Sequence, residues 1–181
     1  MIQLRILVGL GALAALTAGP HVTARAVTPS GPAAVARCQA AQLTLAPDYG
    51  EGDAGHASLV FLVHNRSGQT CALYGYPGAQ LLDGAYRGLP TSLQWGGGGD
   101  PPRRLVTLAS GADAYIALRW AAVPTEGQSC PTAAFVRITV PNASESTIIW
   151  PGQGGIRACG GALTASPVEP TQFDFGVEPT L

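Results

Sequence analysis

The sequence has 181 residues, of which only 12% are charged, with ten arginines, no lysine and a formal net charge of -1. A nucleic-acid binder that works by counterion release needs a clustered basic face, so this charge balance excludes that class. The 24 glycines and 15 prolines show no collagen period and predict frequent turns, while the 46% apolar content argues against disorder. The length fits one domain with its own core.

The N-terminus has the pattern of a secretory signal peptide. Arg5 precedes an apolar run over residues 6–18, and residues 24–26 form an A-x-A cleavage motif. As a helix, the run would be about 20 Å long, which is shorter than the roughly 30 Å hydrocarbon layer. We therefore expect cleavage after Ala26 and a mature chain without a transmembrane anchor, secreted or held in the cell envelope.

Composition divides the remaining chain into three parts. Residues 27–37 are rich in proline, alanine and small polar residues and predict a flexible linker. Residues 38–166 form the predicted domain. Residues 167–181 contain three carboxylates, three prolines and no positive charge, and predict a solvated acidic tail. The alternative for this tail is addition as a strand to a sheet edge.

Four cysteines give the strongest structural signal after the predicted signal peptide: Cys38, Cys71, Cys130 and Cys159. An even number in an exported chain predicts two disulfides, and the spacing matches no zinc motif. Four cysteines permit three pairings, among which the order of the predicted strands favours Cys38 with Cys71 and Cys130 with Cys159. None follows a predicted helix start or a basic cluster, so we do not expect a catalytic thiol.

Short strands separated by glycine- and proline-containing turns make up the predicted domain. The clearest, residues 114–120, alternates so that Ala114, Ile116, Leu118 and Trp120 share one face. The other predicted strands cover residues 42–46, 59–63, 71–76, 80–82, 92–95, 104–108, 135–140, 147–150 and 161–166. This spacing without helical crossovers predicts an all-β, immunoglobulin-like antiparallel sandwich. A short helix over residues 33–43 is the main alternative.

Several of these segments resemble one known family. The matching positions are Gly55, His56, residues 59–63, Asn65, the stretch CALYGYPGA at 71–79, Leu82, Asp83, Ser110, Gly111, residues 118–120, Cys130 and residues 159–167. The pattern is similar to that of the actinobacterial exported domain of unknown function 4232 family. The resemblance implies a β-sandwich in the cell envelope or outside the cell and supplies no activity. Many relatives appear as lipoproteins, but this chain lacks a cysteine directly after its apolar run.

The motif around Cys71 has a structural interpretation. Asn65 precedes a turn-forming Arg-Ser-Gly segment and is predicted to cap it through its side chain. Gly75 allows backbone conformations closed to other residues, and Tyr76 before Pro77 is expected to be extended. We interpret the motif as a signature of the fold rather than as a binding site.

Catalytic, cofactor and metal sites are not predicted. The chain has no G-x-S-x-G nucleophile elbow. His56 and His64 would lie about 27 Å apart on one continuous strand. Residues 48–53 contain three carboxylates, as in half of a calcium loop, but lack the final bidentate glutamate, so they predict an acidic solvated turn.

One segment is a possible ligand loop. Trp95 is followed by four glycines, Asp100, two prolines, Arg103 and Arg104. A phosphate-binding loop would continue into G-K-[ST] and a helix, whereas here a predicted strand follows. In a ligand site, Trp95 would stack and Arg103 or Arg104 would hold an anionic or sugar ligand.

Together these features favour an exported, non-enzymatic β-sandwich protein of the bacterial cell envelope or exterior, binding an unknown envelope protein or glycan. The alternative is a carbohydrate-binding module using exposed tyrosines and some of Trp95, Trp120 and Trp150. An exposed coplanar row of these rings would support that alternative, although the alternation predicts Trp120 in the core. A hydrolase, the third possibility, would require a cleft with convergent catalytic groups.

Overall fold

The computed structural model describes residues 34–97 and 99–173, so the predicted signal peptide and most of the predicted linker lie outside the described residues. The described part contains twelve strands and two short 3-10 helices, which confirms the all-β class. The strands are β1 (Leu43–Asp53), β2 (His56–Asn65), β3 (Cys71–Tyr74), β4 (Gly78–Leu82), β5 (Ser92–Trp95), β6 (Leu105–Leu108), β7 (Asp113–Ala121), β8 (Thr132–Ala133), β9 (Phe135–Thr139), β10 (Thr147–Ile149), β11 (Ile156–Arg157) and β12 (Ala162–Ala165). No helix in this part of the chain is long and apolar enough to cross a membrane.

The strands form several sheets. The largest has the order β1-β2-β7-β12-β5, a second has the order β10-β9-β4, and β11 with β8 and β3 with β6 form two-stranded pairs. The β1, β2 and β7 ladders are antiparallel, whereas β12 is antiparallel to β7 and parallel to β5. The immunoglobulin-like arrangement is not established by this order and stays a prediction.

One hydrophobic cluster joins these sheets. Phe61 and Ile116 contribute from the five-stranded sheet, Leu81 and Val136 from the three-stranded sheet, and Leu73 from the β3–β6 pair, and all five are buried. On β7 the predicted alternation is confirmed, because Ala114, Ile116, Leu118 and Trp120 are all buried. Burial of this apolar area is the main force that holds the sheets together.

Every predicted strand overlaps a strand of the structure, although most boundaries differ by a few residues, and two segments differ in type. The predicted acidic turn at residues 48–53 is wrong, because this segment belongs to β1, whose register shifts between Pro47 and Gly50. β1 is an edge strand, where exposed carboxylates and a bulge are readily accommodated. The alternative helix over residues 33–43 is reduced to a 3-10 turn at Ala40–Gln42.

Asn65 confirms its predicted capping role. Its side chain is fully buried, and Nδ2 donates to the carbonyl oxygens of Gln69, Leu108 and Ala109 at 2.8, 3.1 and 3.0 Å. Its Oδ1 accepts hydrogen bonds from the backbone N–H and the hydroxyl of Ser67 at 3.1 and 2.7 Å. One amide therefore satisfies the turn after β2 and ties it to the end of β6.

The disulfides pair Cys38 with Cys71 and Cys130 with Cys159, as the strand order favours. The first attaches the N-terminal segment to β3, where the Cys38 N–H donates to the Ala72 carbonyl at 3.0 Å and Arg37 forms a parallel bridge with Ala72. Arg37, the last residue of the predicted linker, lies beside β3, because the Ala36 carbonyl and the Cys38 N–H on either side of it both bond to Ala72. The linker bounds stay a prediction.

The predicted tail is wrong for its first residues. Val168 and Glu169 are only 1% and 3% exposed. Glu169 forms an antiparallel bridge with Tyr115 of β7, with backbone N–H to carbonyl distances of 2.8 and 2.9 Å. Val168 packs in the apolar cluster and Glu169 has an arginine partner, so these two residues are not solvated. The domain bounds stay a prediction. The residues from Asp174 onward lie outside the described part.

Candidate functional site

Three aromatic side chains and one arginine line an open cleft of about 520 Å³, here called the aromatic cleft: Tyr74, Tyr76, Trp95 and Arg103. Residues 139–143, with Gly75 and Gly78, complete its wall. Because Tyr74 ends β3 opposite Leu105 of β6, the pairing brings Arg103 next to the tyrosines. Gly75 between them has a φ of 107°, a conformation that favours glycine.

Trp95 and Tyr76 form the aromatic part of the cleft. Their ring centroids are 6.1 Å apart, and the planes are within 6° of parallel. The Trp95 indole N–H donates to the Pro77 carbonyl at 3.1 Å, which fixes the ring orientation. Trp95 is nevertheless 66% exposed. An aromatic surface is thus held in a defined orientation and left open to solvent.

Arg103 supplies the positive charge of the cleft. Its guanidinium carbon lies 6.0 Å from the Tyr74 ring centroid and 5.8 Å from that of Tyr76, within cation–π range. In residues 34–97 and 99–173, no carboxylate forms an ion pair with Arg103, whereas Arg87, Arg104 and Arg119 each have one. The cleft therefore presents a cation whose charge the described chain does not neutralise.

Arg104 has a different environment from Arg103. Its guanidinium pairs with Glu169, whose side chain is only 4% exposed. The two residues border a separate cavity of about 260 Å³. The structure thus brings Trp95 and Arg103 together but not Arg104, whose guanidinium pairs with the buried Glu169 carboxylate. A ligand role for Arg104 stays a prediction.

A second ion pair lies beside this cavity. Arg119 of β7 pairs with Asp100, whose side chain is also 4% exposed, and the Gly97 N–H donates to Asp100 Oδ2 at 2.8 Å. We call the pairs Arg119 with Asp100 and Arg104 with Glu169 the ionic clasp. The pair of Arg119 with Asp100 fixes the glycine-rich loop to β7. The pair of Arg104 with Glu169 fixes the segment after β12 to the residue before β6. Within the described residues, Glu169 Oε1 is buried and has no hydrogen-bond partner.

The other two tryptophans do not share the aromatic cleft. Trp120 is 9% exposed, which confirms its predicted place in the core, and Trp150 is 57% exposed beside a different cavity lined by Gly152 and Gly155. A row of all three rings is therefore excluded by the burial of Trp120. Trp150 is an exposed tryptophan outside the cleft and is therefore a matched control for Trp95.

His56 and His64 lie near opposite ends of β2, as their spacing predicts. His64 Nδ1 is 2.7 Å from Asp113 Oδ1, while His56 borders a separate surface cavity. Within the residues that the structure describes, no group of three His, Cys, Asp or Glu side chains is placed to hold a metal ion.

Tyr74 and Tyr76 are the cleft residues that the sequence interpretation missed. We read their motif, Cys71 to Pro77, as a signature of the fold, and it does place the strand end and the turn. The sequence signal for these two residues was a glycine with one tyrosine on each side, directly before a proline. Asn142 also contributes, since its Nδ2 donates to the Tyr74 carbonyl at 2.9 Å and steadies this turn.

The family resemblance is confirmed. The family model for the domain of unknown function DUF4232 matches residues 38–169, which covers most of the chain, so the protein belongs to this family. The match ends at Glu169, the residue of the ionic clasp that the composition had assigned to the tail. No curated protein and no solved structure matches the chain.

Proposed function

We propose that this chain is an exported, non-enzymatic protein of an actinobacterial cell envelope or exterior, with an immunoglobulin-like sandwich that binds a ligand through the aromatic cleft. The signal peptide is removed after Ala26. Two disulfides are typical of proteins that fold outside the cytoplasm, which supports the extracytoplasmic part of the proposal.

The exposure of Trp95 is the observation that carries the binding role. Burial of a large aromatic ring contributes to stability, but Trp95 leaves two thirds of its surface in solvent. Its indole is fixed by the bond to Pro77, so little rotational freedom is lost when a ligand covers it. Tryptophan, tyrosine and arginine together are the side chains that dominate binding surfaces.

A carbohydrate-binding module is the second candidate. Tyr76 and Trp95 present nearly parallel rings, and the exposed face of a tryptophan suits the apolar face of a sugar ring. Trp120 cannot take part because it is buried, and Trp150 lies outside the cleft.

The proposal is tested by retention of envelope material on the immobilised mature chain. Wild type is compared with Trp95→Ala and with the matched control Trp150→Ala, which removes an exposed tryptophan elsewhere. We expect wild type and Trp150→Ala to retain the same component and Trp95→Ala to lose it. Treating the extract with a protease or with a glycan-degrading mixture separates a protein partner from a carbohydrate.

Two results would contradict the proposal. One is that wild type retains no component at all, with the disulfides intact. The other is that both tryptophan variants lose retention equally, since the aromatic cleft would then not be the surface responsible.

A further inference from the structure

We propose that the aromatic cleft binds a carboxylated saccharide, a sugar of the uronate type, with Arg103 pairing its carboxylate and Trp95 covering a face of the sugar ring. This inference rests on the proposed function and names the chemical class of its ligand.

The uncompensated charge of Arg103 is the first observation that favours a carboxylate ligand. Its guanidinium forms no ion pair and donates no side-chain hydrogen bond to any residue in the described part of the chain. Its guanidinium carbon lies 6.0 and 5.8 Å from the Tyr74 and Tyr76 ring centroids, so cation–π attraction holds the group while no residue of the described part accepts from its N–H donors. In-plane donors in a fork are the geometry that a carboxylate accepts in bidentate form.

The single positive charge in the cleft favours a carboxylate over a phosphate monoester as the ligand group. Among the described residues that line the cleft, Arg103 is the only one with a positively charged side chain. A single guanidinium balances the one negative charge of a carboxylate but leaves a phosphate monoester, which carries about -1.5 to -2 near neutral pH, undercompensated.

The aromatic surface favours a sugar over an acidic peptide. Trp95 offers an open ring face, and its only polar atom, Nε1, is already bonded to the Pro77 carbonyl. The indole can therefore contribute contact but no hydrogen bond to an extended peptide backbone. A sugar ring needs only that contact on its apolar face, while Thr139 and Asn142, which also line the cleft, offer polar side chains to its hydroxyl groups.

The test uses tetragalacturonate, its fully methyl-esterified counterpart and tetraglutamate, each titrated into the mature chain by calorimetry. The ester keeps the sugar rings and linkages of the acid but replaces each negative carboxylate with a neutral methyl ester. We expect the acid to bind about tenfold tighter than the ester, the range for one charge-assisted pair. Arg103→Ala should remove this preference, and Arg103→Lys should restore part of it. Trp95→Ala should weaken both sugars.

Arg87→Ala is the control, since Arg87 is an exposed arginine on a separate turn. It should bind the acid as wild type does. The inference is overturned if the ester binds as tightly as the acid, if tetraglutamate binds as tightly as tetragalacturonate, if Arg103→Ala keeps the preference, or if none of the three compounds binds. Trp95-dependent retention of envelope material under any of these results would leave the proposed function standing, so the two failures are distinguishable.

Discussion

Arg103 and Arg104 are neighbours in the chain, yet they belong to two regions with opposite properties. Arg103 lies over two tyrosine rings in the aromatic cleft and has no acidic partner in the described part. Arg104 joins the ionic clasp through Glu169, whose carboxylate is nearly excluded from solvent. An arginine side chain thus stabilises the fold where it neutralises a buried carboxylate. Where it has no such partner, it is available to a ligand.

The clasp and the cleft should therefore respond differently to substitution. Removing a cation from the clasp leaves a carboxylate buried without compensation, which costs free energy of folding. Removing a side chain from the cleft exposes no buried charge and should affect binding instead.

Arg119→Ala is expected to give the largest loss of stability. It leaves Asp100, whose side chain is 4% exposed, without its cation, and we expect the free energy of unfolding to fall by about 3 kcal/mol. Urea denaturation measures the change. Arg87→Ala, which breaks an ion pair whose arginine is exposed, should cost much less. Equal losses in these two variants would contradict the structural role of the clasp.

Arg104→Ala should have a smaller effect, about 2 kcal/mol, because its side chain is half exposed and solvent screens part of the interaction. Adding Glu169→Gln to this variant should restore part of the stability, since it removes the uncompensated charge. A double-mutant cycle by urea denaturation measures the coupling. Strictly additive losses would show that the two side chains do not interact.

Trp95→Ala should change the free energy of unfolding by no more than about 1 kcal/mol, the contribution of one hydrogen bond and one aromatic contact. The same variant should lose retention of envelope material. A loss of stability as large as that of Arg119→Ala would mean that Trp95 is a structural residue.

The turn at Asp83 should show the smallest effect, and it depends on pH. The Arg87 backbone N–H, followed by its side chain and the Ala85 N–H, holds the pKa of Asp83 below its usual value by stabilising the carboxylate. Because the folded pKa is lowered, the stabilisation is present above the unfolded pKa and is lost as the pH falls through the folded pKa. An NMR titration should place the Asp83 midpoint below that of an unfolded aspartate.

Asp83→Asn is the partner experiment for this turn. It should abolish the small pH dependence of the unfolding free energy in that acidic range. An Asp83 midpoint at or above the unfolded value would contradict the hydrogen-bonded turn.

Local sequence was sufficient for much of the fold. The alternation on β7 placed Ile116 and Trp120 in the core, and the capping role of Asn65 followed from the turn residues after it. The order of the strands also favoured the observed pairing of the cysteines. These features depend on side-chain direction and turn chemistry, which residues close in sequence determine.

Features that depend on distant contacts were not predictable in the same way. Glu169 reads as part of an acidic tail until its partner Arg104, 65 positions earlier, is known. The two-residue strands β8 and β11 are too short to carry a period. The cleft was half predicted: Trp95 and Arg103 were identified, but Tyr74 ends a strand of a different sheet and Tyr76 lies in the turn after it.

The division between the aromatic cleft and the ionic clasp is tested most directly by two measurements on Arg103→Ala and Arg104→Ala: the affinity for tetragalacturonate and the urea midpoint of unfolding. We expect Arg103→Ala to lose about tenfold in affinity for tetragalacturonate with an unchanged urea midpoint. We expect Arg104→Ala to have a lower urea midpoint and, while folded, the affinity of wild type. The opposite assignment, or equal effects of both variants on both quantities, would contradict the division between the aromatic cleft and the ionic clasp.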